Sequence, residues 1–344
     1  MAARAAGRSR YAAVLITSVV VLAAVMVAAI GFGQASVGVG EVLASIGSHL
    51  GLVPASSVPP LADSIVWELR LPRVLTAAAV GAGLALSGAV MQSITRNPLA
   101  DPYLLGLSSG ASLGAVAVII LGLSFALPVA AFAGALLALV TTLVIARTGG
   151  SITPTRAVLA GLAIAQLCAA LTSFVIFWSA KGDSYREILN WLLGSLAGSS
   201  WTTVAISVVA AVVVGGALIL QATRLDAFAF GDTSAAALGI RVNATRWWML
   251  GAVALLTGAM VSVSGAIGFV GLILPHMVRG LSGPQHGRML PLAAIAGAAF
   301  LVVADTLART VFDPRELPVG IVTAIIGVPV FIVLIRRRGA ALWA

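Results

Sequence analysis

Charge is what this sequence has least of. Of its 344 residues, 9% are charged, against roughly 25% in an ordinary soluble domain, so a soluble enzyme is excluded. Lysine occurs once, as Lys181, preceded by Ser179-Ala180 and followed by Gly182. A phosphate-cradling P-loop needs Gly-Lys-Ser/Thr, so the chain has none, and work driven by ATP would fall to a separate protein. The single cysteine, Cys168, excludes an internal disulfide; set in an apolar run, it reads as a small buried hydrophobe. His49, His276 and His286 are the only histidines and are scattered, so no metal site is expected. The net charge of +9 does not signal nucleic acid, because the cations punctuate apolar runs instead of clustering on one polar face.

Apolar residues, by contrast, make up 60% of the chain, enough for roughly ten helices of about 20 residues each. No alternation of polar and apolar residues supports a porin-type barrel. Uncharged stretches mark the expected spans: Tyr11–Gly40, Val74–Thr95, Ala157–Ala180, Trp201–Ala222, Leu290–Ala304 and Pro318–Ile335. Two stretches are too long for one crossing. Pro102–Ala146 is divided at the turn signals Gly122–Pro128, and Trp247–Met277 near Val263–Ala266. Arg4, Arg8 and Arg10 precede the first stretch, which is longer than a signal-peptide core and lacks a convincing cleavage site, so a first span is expected.

Alternate loops divide the charges unequally. One set of ends holds 14 cations and three acids (Asp101, Asp226, Asp232); the other holds six cations and eight acids, among them Glu68, Asp305, Asp313 and Glu316. The positive-inside rule places the first set in the cytoplasm and requires an even number of spans. The expected fold is thus an all-α polytopic membrane protein of about ten transmembrane helices, with both termini cytoplasmic. Residues 1–10 and 336–344 would be cytoplasmic tails, and 11–335 a single domain whose longest cytoplasmic loop is 224–246. A shift of 177 residues lays Ser87-Gly88-Ala89 on Ser264-Gly265-Ala266, Pro98 on Pro275 and Gly106 on Gly283, a weak inverted repeat of the kind transporters carry.

Several residues carry candidate chemistry. Gly106-Leu107-Ser108-Ser109-Gly110 matches the hydrolase nucleophile elbow, but at the start of a membrane helix small residues more simply permit close packing. Arg70-Leu71-Pro72-Arg73 opens the second span with two cations on the outer side, against the charge trend. They suit lipid phosphate, a pair with Glu68, or an acidic partner outside. Asp305 and Arg309 have the i, i+4 spacing of a helix-face ion pair. In the long loop, Asp232-Thr233-Ser234 reads as the capped start of a short helix closed by Gly239, a contact for a cytoplasmic protein.

The stretch from Leu69 to Gly114, LRLPRVLTAAAVGAGLALSGAVMQSITRNPLADPYLLGLSSGASLG, closely resembles the permease subunits of the ABC importers for iron–siderophore complexes, haem and cobalamin. The likeness continues through Val158–Gly161, Trp191–Ser195, Gly231-Asp232, Leu238-Gly239, Gly268–Leu272 with Pro275-His276, and Glu316–Gly320. It implies a permease in the bacterial cytoplasmic membrane, not itself an enzyme. It implies a second permease copy or a sister permease, two cytoplasmic ABC ATPases that use ATP and magnesium, and an outer substrate-binding protein. No cofactor is implied for this chain. Ferric siderophore is the expected cargo, with haem or cobalamin as alternatives. By the same resemblance Arg70, Arg73 and Arg309 would dock the binding protein; Gly231, Asp232, Ala235, Leu238 and Gly239 would form the helix coupled to the ATPase; and Asn97, Leu99, Pro154 and Thr155 would form the cytoplasmic gate. The main alternative of another class is an ion-coupled carrier, which would need intramembrane acids.

Overall fold

The structure is a computed structural model that describes residues 2–33, 35, 37–54, 58–147, 153–179, 181–312 and 315–338. Asp313, one of the outer acids, and residues 339–344 of the C-terminal tail lie outside the described residues. No strand occurs among the described residues. In chain order the helices are α1 (Ala2–Gly31), α2 (Val39–His49), α3 (Pro60–Thr95), α4 (Leu107–Ile120), α5 (Leu127–Ala146), α6 (Pro154–Ser179), α7 (Asp183–Leu192), α8 (Trp201–Leu220), α9 (Ala222–Ala229), α10 (Asp232–Ala237), α11 (Val242–Ser264), α12 (Val270–Ser282), α13 (His286–Thr310) and α14 (Val319–Arg338). Among the described residues, seven of them (α1, α3, α5, α6, α8, α11 and α13) are long and apolar enough to cross a membrane, and α4 and residues Val319–Leu334 of α14 are shorter apolar helices.

The two long uncharged stretches divide where the turn signals lie. Gly122 takes φ +71 and Pro128 stands in the first turn of α5. Gly265 takes φ +67 at the end of α11, and even Phe269, with a β-carbon, is left-handed at φ +70 before α12. Two boundaries differ from the sequence reading. The first uncharged stretch does not stay helical to Gly40, because α1 ends at Gly31 and Gly33 lies against the Arg70 guanidinium. A β-carbon on Gly33 would fall 2.5 Å from Nη2 of Arg70. The second span begins at Pro60 rather than near Pro72. A widened π turn over Ile65–Arg70 comes first, so Pro72 sits inside a continuous helix.

α3 is the axis of the molecule. It packs on α13, α11, α12 and α8, and most of its side chains are buried. Two apolar clusters meet on it, one with α1, α8, α11, α12 and α13, the other with α4, α5 and α6. Glycine sets the spacing. A β-carbon on Gly88 would lie 1.9 Å from the Gly271 carbonyl oxygen of α12, and one on Gly81 2.2 Å from that of Gly297 on α13. These backbones touch, as small-residue interfaces between membrane helices do. Within the 177-residue offset, Gly106 and Gly283 share a positive φ (+82 and +79) but differ in ψ (3 and −178), and Ser87–Ala89 lie in mid-helix whereas Ser264–Ala266 lie at a helix break.

Candidate functional site

From Arg73 to Ser93, α3 advances about 30 Å at 1.5 Å per residue, the thickness of a bilayer's hydrocarbon core. The two ends of the bundle differ in chemistry.

At the Arg73 end, α3 and α13 bring three arginines around one acid. Nε of Arg73 donates to both carboxylate oxygens of Asp305 at 3.1 and 2.9 Å, and Nη2 donates to Oδ1 at 2.9 Å. Its Nη1 donates to Oε2 of Glu316 at 2.8 Å. Asp305 is almost fully buried. The helix-face pair expected from spacing is the lesser contact, with Nε of Arg309 3.8 Å from Asp305. Arg309 instead donates to the Ala29 carbonyl. Arg70 does not pair with Glu68. It is 7% exposed and donates to the carbonyls of Ile30 at 2.8 Å, Gly31 at 3.0 Å and Ala35. Two arginines therefore satisfy the last carbonyls of α1, where a helix leaves acceptors unpaired and its dipole favours cations. Beside them is a cavity of about 350 Å³, lined among others by Arg70, Arg73, Arg309, Glu316, Leu69 and Ser199. Of the three predicted docking residues, Arg73 shares its charge with the half-exposed Glu316, while Arg70 and Arg309 are turned inward.

At the other end, the predicted short helix is α10. Gly231 precedes it at φ +99 and Gly239 follows at φ +81, conformations that favour glycine. Gly231 is the N-cap. Asp232 does not cap the helix but accepts from Nη2 of Arg246 on α11 at 2.8 and 2.9 Å. The Arg246 guanidinium also lies 5.6 Å from the Phe228 ring centroid. Ala235 is buried, whereas Leu238 is 70% exposed and Phe230 is exposed beside it.

The predicted gate residues lie in two loops. Arg96 ends α3 in a left-handed conformation, φ +50, and Oδ1 of Asn97 accepts from the N–H of Leu99 at 2.9 Å. Leu99 is exposed. Pro154 opens α6, and Thr155 is exposed in its first turn. Between the loops, the turn Pro102–Leu105 packs on α6; a β-carbon on Gly161 would fall 2.0 Å from the Leu104 carbonyl oxygen. Asp101 caps this turn by accepting from the N–H of Tyr103 at 2.8 Å, and burial pushes its carboxyl up to about 6 against that hydrogen bond. The Tyr103 hydroxyl donates to the Ile267 carbonyl at 2.9 Å, tying the turn to the break between α11 and α12. Among the described residues no group of three or more His, Cys, Asp and Glu could hold a metal ion.

Sequence reasoning did not reach Arg246, Tyr103, or the set Ser93, Asp226 and His286, whose partners lie far away in the chain. The only signal was a polar residue at the edge of an apolar run.

A helical bundle with seven candidate spans among the described residues, an ionic cluster at one end and a short exposed helix at the other is that of a polytopic membrane protein. The chain belongs to the FecCD transport family, which it matches over residues 14–337, and it is a transport permease of an ABC importer. It is 44% identical to the cobalamin import system permease BtuC of Halobacterium salinarum over 82% of this chain and 76% of that protein. It is 38% identical to the Fe(3+) dicitrate transport system permease FecD of Escherichia coli K12, over 84% of this chain and 93% of that one. A solved structure of a metal-chelate type ABC transporter in an inward-facing conformation superimposes with a TM-score of 0.83, at 31% identity, covering 94% of this chain and 99% of that one.

Proposed function

We propose that this permease moves a metal chelate from an external binding protein into the cytoplasm, with ferric siderophore as the expected cargo. The two-ended construction carries this reading: the Arg73–Asp305–Glu316 cluster and the α10 helix lie at opposite ends of one buried helix, α3. An acidic surface of the binding protein meets Arg73 and the cavity beside it. Arg70 and Arg309 act from behind, holding the end of α1. At the cytoplasmic end the ATPases seat on Gly231–Gly239, with Leu238 inserted, and supply the ATP and magnesium chemistry. Closure of the ATPases moves α10, and the loops at Asn97–Leu99 and Pro154–Thr155 open or shut the path by rigid-body rocking.

Two permeases, two copies of this chain or one with a sister permease, flank the path in the bacterial cytoplasmic membrane, with both termini cytoplasmic. The exposed apolar face of α6, including Leu162, Phe174 and Phe177, supports contact with a second permease or with lipid. An ion-coupled carrier is disfavoured, because the buried acid Asp305 is held by Arg73 rather than left free to carry protons. A second reading, a corrinoid cargo, is favoured by the 44% identity to the Halobacterium permease.

The test is uptake by cells with and without the gene, offered labelled ferric siderophores, haem and cobalamin separately under iron limitation. Loss of one cargo, restored by the gene but not by a Leu238→Asp copy, supports both the cargo and the coupling. Unchanged uptake of every cargo in a strain lacking all sister permeases would overturn the metal-chelate reading.

A further inference from the structure

Three helices far apart in sequence meet at a polar contact near the α10 end. Ser93 is in the last turn of α3, Asp226 is on α9, and His286 is the first residue of α13. Nδ1 of His286 lies 2.7 Å from Oδ1 of Asp226, and the His286 backbone N–H donates to the same oxygen at 2.9 Å. A carboxylate only accepts, so Nδ1 carries the proton. On the far side of the ring, Nε2 meets the hydroxyl of Ser93, which also reaches the Ala89 carbonyl at 3.0 Å. The order Asp–His–Ser is that of a hydrolase relay. Here, however, the serine hydroxyl is buried in helix packing, with Ser93 7% exposed and His286 4%, so the set is a strut rather than a nucleophile.

What the strut joins gives it a role. α9 leads through two residues into α10, and Ser93 stands three residues before Arg96, where the loop of Asn97 and Leu99 begins. A β-carbon on Gly231 would lie 3.3 Å from Nη1 of Arg96, so the start of α10 and the start of that loop are neighbours. Asp226 accepts from both the backbone and the ring of His286, so a displacement of α9 turns the imidazole and the α13 terminus together. A planar ring with a partner at each nitrogen passes that displacement on to the last turn of α3.

We propose that His286 is the positioning residue through which movement of the α9–α10 arm reaches the Asn97–Leu99 loop, with Asp226 and Ser93 as its two contacts. This rests on the reading of α10 as the ATPase contact and of that loop as a gate. The two nitrogens can be separated by substitution. His286→Asn keeps an N–H near the Nδ1 position and loses Ser93; Ser93→Ala loses the same contact with the smallest change in volume.

The experiment uses the permease assembled with its ATPase and binding protein in liposomes. Uptake of the cargo identified in cells and ATP hydrolysis are measured together. A Leu99→Cys, Cys168→Ser version reports the loop through its maleimide labelling with and without ATP. Ser93→Ala and His286→Asn are expected to assemble and hydrolyse ATP at wild-type rates while uptake per ATP falls tenfold or more. The double variant should lose no more than the worse single one, and ATP should no longer change labelling at position 99. A merely structural role would instead lower assembly, and with it uptake and hydrolysis alike. Uptake per ATP within twofold of wild type in Ser93→Ala, or losses that multiply in the double variant, would overturn the proposal. Leu238→Asp, run in parallel, separates the two readings. If it leaves uptake intact, the coupling helix itself is wrong; if it uncouples while Ser93→Ala does not, only the strut fails.

Discussion

Arg73 and Asp305, 232 residues apart, form a forked ion pair across the contact of α3 with α13, with N–O distances from 2.9 to 3.1 Å. Asp305 is buried and the Arg73 side chain is only 11% exposed, and Arg70 and Arg309 stand close by, so removing the acid leaves these cations with only the half-exposed Glu316 as counter-charge. Losing one partner of a buried pair costs about 3–5 kcal/mol, whereas replacing both with apolar groups is often near neutral. Asp305→Ala is therefore expected to lower the thermal unfolding midpoint of the purified protein clearly, and Arg73→Met with Asp305→Leu to recover part of the loss. Equal midpoints for wild type and Asp305→Ala would mean that the pair is not structural.

Docking can be tested at the same residue. Arg73→Glu would face Asp305 and Glu316, three carboxylates together, and is expected to weaken binding of the loaded binding protein at least tenfold. Arg73→Gln removes the charge without that repulsion and should weaken binding in the same direction. Binding measured on samples matched for folded fraction decides the matter: unchanged affinity in Arg73→Gln removes Arg73 from the docking surface.

The glycine contacts give a sharper structural expectation. Gly88 touches the backbone of Gly271, whereas nothing lies within 4 Å of where a β-carbon on Gly251 would point. Gly88→Val should abolish the close approach of α3 to α12 and yield little monodisperse protein. Gly251→Ala, in mid-helix and unobstructed, should raise stability by roughly 0.5–1 kcal/mol through helix propensity. Size-exclusion profiles and unfolding midpoints of the two variants test the contrast.

Most of the bundle was legible because hydropathy, glycine and charge act locally. The turn at Gly122–Pro128 and the break near Gly265 announced themselves through residues that end helices. α2 was not legible as a separate helix, since what divides it from α1 is Arg70, 39 residues away from Gly31. The same limit explains the site. Arg73 stood out as a cation on the wrong side, but its pair with Asp305 is tertiary. Arg70 and Arg309 were singled out as surface groups because sequence shows charge and not the carbonyls of Ile30 and Ala29 that claim them. The Asp232–Arg246 pair was hidden for the same reason, its members standing 14 positions apart with a loop between them.

Asp101 makes a prediction about pH. Its carboxyl rises from the ordinary value of 3.8 to about 6, with burial the dominant cause. Below about pH 3 it is protonated whether the chain is folded or not. As the pH rises through about 6, the folded protein must hold a charge in a partly buried site and loses the stability that the neutral form had. Asn keeps the oxygen that accepts from Tyr103 but carries no charge. Asp101→Asn should therefore be more stable than wild type at pH 7.5, by about 1–3 kcal/mol, with the difference shrinking as the pH falls and vanishing only below about pH 3. Unfolding midpoints of both proteins across that range are the measurement, and a constant difference would contradict the raised value.

The last expectation concerns α10. Its buried face is small, with Ala235 turned inward, and its exposed side offers Leu238 and Phe230 to the solvent. An exposed leucine beside a short helix gains only if a partner covers it; full burial of such a side chain contributes about 1.5–3 kcal/mol. Leu238→Asp should thus leave the permease folded, because nothing internal depends on that side chain, yet weaken its hold on the ATPase and uncouple hydrolysis from uptake. Gly231→Trp should do the same by a different route, since φ +99 is strained for any residue with a β-carbon and the Arg96 guanidinium lies nearby. Uptake and ATP hydrolysis in reconstituted complexes, read together, distinguish the two effects from simple loss of protein. Normal uptake in both variants would take the ATPase contact away from residues 231–239.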